Sequence, residues 1–122
     1  MNIDYYLCQT YSSPPCWELV SEVYKKELNI NLEHFTCENT PSAIARAFRK
    51  AILNYSINFN DIDVPEDMCI VLCKAHNSSV ATHVGVYFKG RVLHCCGETR
   101  FDDLTTLSIQ YQEITFHSMK EE

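Results

Sequence analysis

The apolar residues of this 122-residue chain change period near its middle. In the first half they recur at helical spacing. In the second they alternate or gather in short blocks. A helix buries one stripe of side chains, whereas a strand sends successive side chains to opposite faces. Helices first and strands after predict an α+β fold with a small antiparallel sheet.

The helical half holds two segments. Leu19, Val20, Val23, Tyr24 and Leu28 form a stripe over about Pro15 to Leu28, and Glu18, Glu22, Lys25 and Lys26 fall largely off it. Ser12-Ser13-Pro14-Pro15 breaks the preceding chain and sets up the helix start, and Asn29 is a natural stop. A second helix is predicted over about Pro41 to Tyr55, with Thr40 as N-cap and Pro41 at the favoured first position. Residues 1–13 read as an irregular lead-in or a short strand. In the second half, Met68 to Cys73 is a short apolar run. Val80 to Phe88 and Arg91 to Cys95 flank Lys89-Gly90, a two-residue hairpin signal. Leu107 to Ile109 and Glu113 to His117 are expected to add one or two short strands. With no repeat, linker or low-complexity tract, residues 1–122 read as one domain.

The charge balance narrows the partners. Ten basic and sixteen acidic residues give a net charge of -6, and the basic ones form no stripe. This argues against nucleic acid, whose binding needs phosphate neutralisation, and against anionic membrane surfaces. No apolar run is long enough for a transmembrane helix, and the N-terminus lacks the features of a signal peptide. The chain is therefore expected to be cytoplasmic as made, with any action in a periplasm requiring delivery by a virion or a secretion machine. Seven cysteines, an odd number, then read as reduced thiols rather than a disulfide scaffold.

Cys16 stands out among them. Pro14-Pro15 places it in the first turn of a helix, where the positive end of the helix dipole favours a thiolate. The same position also suits a buried structural cysteine. With a two-residue loop at Lys89-Gly90, Phe88 pairs with Arg91, Tyr87 with Val92 and Gly85 with His94. His83, Gly85, Tyr87, Val92, His94 and Cys96 then share one face. His94 lies diagonally from His83, at about 7–8 Å between backbones, and Gly85 leaves room for an imidazole to lean across. If the first helix covers that face, Cys16 meets the two histidines. Nucleophile, base and orienting group would then be in place.

These segments resemble a known family. Cys16-Trp17-Glu18-Leu19-Val20, Glu22-Val23-Tyr24 and Leu28-Asn29-Ile30-Asn31-Leu32 look like the nucleophile helix of NlpC-type cell-wall cysteine peptidases, the phage-tail branch in particular. His83-Val84-Gly85-Val86-Tyr87 resembles the family's histidine strand, and Arg91-Val92-Leu93-His94 the strand with its third catalytic residue. Val64-Pro65-Glu66-Asp67 matches the approach to the strand before the histidine. The resemblance spans roughly residues 14–98, and the order and spacing of the motifs are more specific than any one of them. It implies a papain-like core with no cofactor or metal. It also implies hydrolysis of the amide between D-glutamate and a diamino acid in peptidoglycan stem peptides, or of another peptide-like amide. Phage-tail or secretion components are the partners it suggests. Cys16 would be the nucleophile, His83 the base and His94 the orienting residue. Tyr11, or Tyr6, stands in for the family's upstream aromatic near the oxyanion site, and Trp17 is a candidate for the substrate cleft or for the core. The sequence departs from the pattern at Pro15, where the family carries Asp, and at Glu18, where it carries a small residue. The upstream Tyr/Trp-Gly-Gly segment is missing.

Other readings use the same residues. A zinc site on Cys69 and Cys73 conflicts with a strand, in which four residues span about 13 Å, while thiolates on one zinc lie within about 4 Å. Cys95 and Cys96 point to opposite faces. Cys96 shares the histidine face but lacks a helix N-terminus. Cys37, after His34, faintly resembles lecithin-retinol-type acyltransferases, in which the histidine precedes the cysteine, but every candidate histidine other than His34 follows Cys16. A catalytically degenerate binding module of a tail or envelope assembly is the non-enzymatic alternative, and an effector amidase would share the chemistry.

Overall fold

In the computed structural model, the described residues are 1–11, 15–32, 40–53 and 59–119, with 51–53 described as backbone only. Ser12, Ser13, Pro14, His34, Cys37 and the expected helix end at Tyr55 lie outside them.

The chain opens with α1 (Ile3–Leu7), a helix where a lead-in or strand was expected. Asn2 accounts for the difference: its side-chain oxygen accepts the Tyr5 N–H at 3.2 Å and starts the turn. Helices α2 (Pro15–Leu28) and α3 (Pro41–Leu53) follow as predicted. Asn29, at φ 55°, closes α2, with Ile30 N–H donating to the Tyr24 carbonyl at 3.1 Å. Thr40 caps α3 by accepting the Ala43 N–H at 3.2 Å.

Six strands then form one antiparallel sheet. They are β1 (Phe59–Ile62), β2 (Ile70–Ala75), β3 (Ala81–Phe88), β4 (Arg91–Cys95), β5 (Thr99–Asp103) and β6 (Tyr111–Met119). The spatial order is β1-β6-β2-β3-β4-β5, so the architecture is α+β. The expected hairpin is present in the expected register, with Phe88 across from Arg91 and Gly85 across from His94. Lys89 and Gly90 both take positive φ, the conformation that matches the twist of the flanking strands.

Besides α1, other elements differ from expectation, and β1 is a strand that the sequence pattern did not predict. Leu107 to Ile109 belong to the short helix α4 (Leu104–Gln110), not to a strand. Leu104 and Leu107, three residues apart, share a helical face and pack on the sheet. Strand β5 was not foreseen, because Phe101 is its one large apolar residue.

The sheet has two faces, each with its own core. On one, Ile70, Val84, Val86, Leu93 and Cys95 pack with Trp17, Leu19, Val20, Val23 and Tyr24 of α2 and Phe48 of α3. Leu19, Val20 and Val23 are fully buried, each contributing about 1.5–3 kcal/mol of burial. On the other, Val71, Cys73 and Val92 pack with Leu107, supported by Tyr87, Leu104 and Tyr111. Among the described residues, no helix is long and apolar enough to cross a membrane.

Candidate active site

His83 and His94 occupy the second face. His83 lies across from Cys73 on β2, and His94 across from Gly85 on β3. Both are buried, at 7% and 1% exposure. The diagonal approach read from the hairpin closes into contact: Nε2 of His83 lies 2.8 Å from Nδ1 of His94. The rings meet edge to face at 79°. Tyr111 stacks on the free face of His83, with ring centroids 5.4 Å apart and planes 7° apart. Burial pushes the His83 imidazole down to about 3, and neighbouring His94 acts in the same direction.

The chain of contacts continues onto the unforeseen strand. Nε2 of His94 lies 2.8 Å from Oδ2 of Asp102. Arg100 grips that carboxylate at both oxygens, Nε donating to Oδ2 at 2.9 Å and Nη2 to Oδ1 at 3.2 Å. Strand alternation explains the grouping, since Arg100 pairs with His94 and Asp102 with Val92 on the same face. The Arg100 hydrogen bonds hold the Asp102 carboxyl below its usual range, and His94 adds to the effect. A chain of polar residues after Gly97 was the available sequence signal, but only a β4–β5 register would have aimed it.

Cys16 sits in the first turn of α2, as expected, and is 6% exposed. The helix itself does not cover the histidine face. Its stripe packs on the opposite one, because Val84, Val86 and Leu93 alternate with His83, Gly85 and His94. The thiol nevertheless reaches β3 at the helix end. The β3–β4 pairing begins at Gly85 and His94, and Val84 lies just past it. Backbone hydrogen bonding from Val84, the residue after His83, and from Trp17 and Cys16 itself favours the Cys16 thiolate. Burial outweighs these and pushes the thiol up to about 12.

The two cleft candidates lie elsewhere. Trp17 is 1% exposed and packs against Phe48 in the core. Tyr11 donates its hydroxyl to Glu22 Oε1 at 2.6 Å, on the rim of a groove of about 530 Å³ that also includes Glu18, Ser21 and Lys25. Glu22 is six residues beyond Cys16, about 9 Å along the helix axis, so this hydroxyl is held away from the thiol. Cys96 is exposed in the turn after β4. Cys73, which the sequence offered only as a zinc ligand, lies directly across from His83 and is fully buried. Among the described residues, no group of three or more His, Cys, Asp or Glu is arranged to hold a metal ion.

Comparison with family models, with curated proteins and with solved structures returned no significant match.

Proposed function

We propose that the chain is a papain-like cysteine hydrolase of the NlpC type. In this reading it cleaves an amide such as the D-glutamyl-diamino acid bond of peptidoglycan stem peptides, delivered by a phage tail or a secretion machine. The observation that carries the reading is the placement of the Cys16 thiol. It lies at a helix N-terminus and hydrogen-bonds to the backbone of Val84, the residue that follows His83, whose own ring is held by a second histidine.

With Nε2 of His83 against His94, Nδ1 is the nitrogen left for the thiol proton. Because burial keeps both groups neutral at rest, proton transfer accompanies attack rather than preceding it. Sulfur bonds to the amide carbonyl carbon as His83 takes its proton. The backbone N–H of Cys16 helps hold the oxyanion. The C–N bond then breaks, and His83 returns the proton to the departing amine. Water attacks the thioester with His83 again as base. This releases the carboxylic acid and restores the thiol.

One observation favours the alternative of a catalytically silent binding module. Cys16 is only 6% exposed, and its thiol is held neutral. The two readings separate on one experiment. Purified stem peptides are incubated with wild type, Cys16→Ala and His83→Ala, and products and intact protein are followed by mass spectrometry. The hydrolase reading expects cleavage and an acyl adduct on Cys16, both lost in Cys16→Ala. Cleavage that survives Cys16→Ala, or no cleavage of any stem peptide by the folded wild type, would sink it.

A further inference from the structure

We infer that Asp102, clamped by Arg100, is a positioning residue that sets the tautomers of His94 and His83 in series and so presents the lone pair of His83 Nδ1 to the thiol proton. The inference rests on reading Cys16 and His83 as nucleophile and base.

The argument is a count of protons along a line of contacts. A carboxylate can only accept, so the 2.8 Å contact between Asp102 Oδ2 and His94 Nε2 needs the proton on Nε2. A neutral imidazole carries one N–H, so Nδ1 of His94 then holds a lone pair. The 2.8 Å contact to that nitrogen must come from a donor, which places the remaining proton on Nε2 of His83. Nδ1 of neutral His83 is left with a lone pair, the form a general base needs. One anion therefore orders two rings.

The surroundings favour this arrangement over its mirror. The reverse tautomers would point a lone pair of His94 Nε2 at a carboxylate oxygen. Arg100 keeps that oxygen in place with two donors, and Asp102 stays ionised because of them. Tyr111, stacked flat on His83, limits the ring to its own plane. When His83 takes the thiol proton at Nδ1, its Nε2–H bond to His94 is unchanged. The new positive charge then faces the Asp102 carboxylate through one neutral ring. No proton passes to Asp102.

The test is long-range nitrogen–proton NMR of the imidazoles at about pH 8, above the ordinary imidazole value. Assignment uses His83→Gln and His94→Gln. In wild type both rings are expected to carry the proton on Nε2. Asp102→Asn keeps that pattern, because its amide oxygen still accepts from His94. Asp102→Leu, or Asp102→Ala if the leucine variant does not fold, removes the acceptor and brings the Nδ1–H form into one or both rings. Stem-peptide cleavage by that variant is expected to fall about 100-fold in kcat with little change in KM, and less in Asp102→Asn. A wild-type His83 with Nδ1–H, or an acceptor-free variant with the wild-type spectrum, overturns the inference. The spectra need no substrate. A protein with this tautomer pattern that cleaves nothing keeps the relay and loses the catalytic reading. An active enzyme whose tautomers ignore Asp102 does the reverse.

Discussion

Gly85 lies directly across from His94, and the space a side chain would need there is already filled. A Cβ on Gly85 would come within 2.8 Å of the Leu93 carbonyl oxygen and of Val92 Cγ1, and within 3.0 Å of His94 Cβ. The Leu93 oxygen is backbone, so it cannot swing aside. Gly85→Ala is therefore expected to cost about 1–3 kcal/mol by overpacking and to spread the two histidines. Urea unfolding reads the first effect, and imidazole NMR the second. A variant as stable as wild type would show that the ladder yields more easily than this packing implies.

Tyr111 restrains the base from the side. Replacing it with Phe preserves the stacked ring, whereas Ala removes it. Tyr111→Ala is expected to lose about 0.5–1.5 kcal/mol beyond its lost buried area, with a lower kcat. Tyr111→Phe should stay close to wild type in both. Equal losses in the two variants would shift the role from the ring to the hydroxyl.

Burial of His83 makes stability depend on pH. The unfolded chain takes up the proton near the ordinary value of 6.5, while the folded protein resists it until about 3. Between those values the unfolded state binds more protons, so stability falls as pH drops through the window. His117 works in the same direction, because burial of its ring outweighs the Asp61 carboxylate beside it. Below the usual carboxylate range, Asp102 adds a further loss. Urea midpoints measured from about pH 8 down to about pH 4 should decline for wild type and decline less steeply for His83→Gln. Parallel curves would mean that His83 is protonated in the folded state.

Tyr11 provides a check on the oxyanion aromatic that the family resemblance implies. Its hydroxyl is tied to Glu22, so Tyr11→Phe should cost stability, about 1.5–3 kcal/mol for a hydrogen bond to a carboxylate, and leave kcat nearly unchanged. A large fall in kcat at unchanged stability would return Tyr11 to the reaction.

Two buried cysteines compete for the role of nucleophile, and they should behave differently. Cys73 faces His83 from mid-strand, fully buried and without a helix N-terminus. Cys73→Ser is expected to keep cleavage while losing some stability, whereas Cys16→Ser keeps the fold and loses cleavage. Peptide turnover and thermal unfolding of both variants separate these outcomes. Loss of turnover in Cys73→Ser alone would move the nucleophile to β2.

Much of this was open to reading in the residues themselves. The stripe from Leu19 to Tyr24, the cap at Thr40 and the stop at Asn29 define α2 and α3 through interactions a few residues apart. Lys89-Gly90 determined more, because a two-residue turn sets the register of both its strands. The pairing of Gly85 with His94, and hence the meeting of the two histidines, followed from that local rule. Short segments were harder. Leu104 to Gln110 and residues 1–7 are too brief for periodicity to separate helix from strand, and Asn2 decides the latter by one hydrogen bond.

What only the tertiary structure decided is which surfaces meet. The stripe of α2 is apolar, but both faces of the sheet offer apolar partners, Val84, Val86 and Leu93 on one and Val71 and Val92 on the other. Nothing in a linear pattern selects between them. The packed helix took the face away from the histidines, and Cys16 reaches β3 only at the helix end. Asp102 and Arg100 were equally hidden, since their strand is polar and its place beside β4 depends on pairing across the turn at Gly97. Local chemistry thus determined the elements and one hairpin. The choice of face and the second half of the polar chain came from long-range packing, which short-range spacing does not encode.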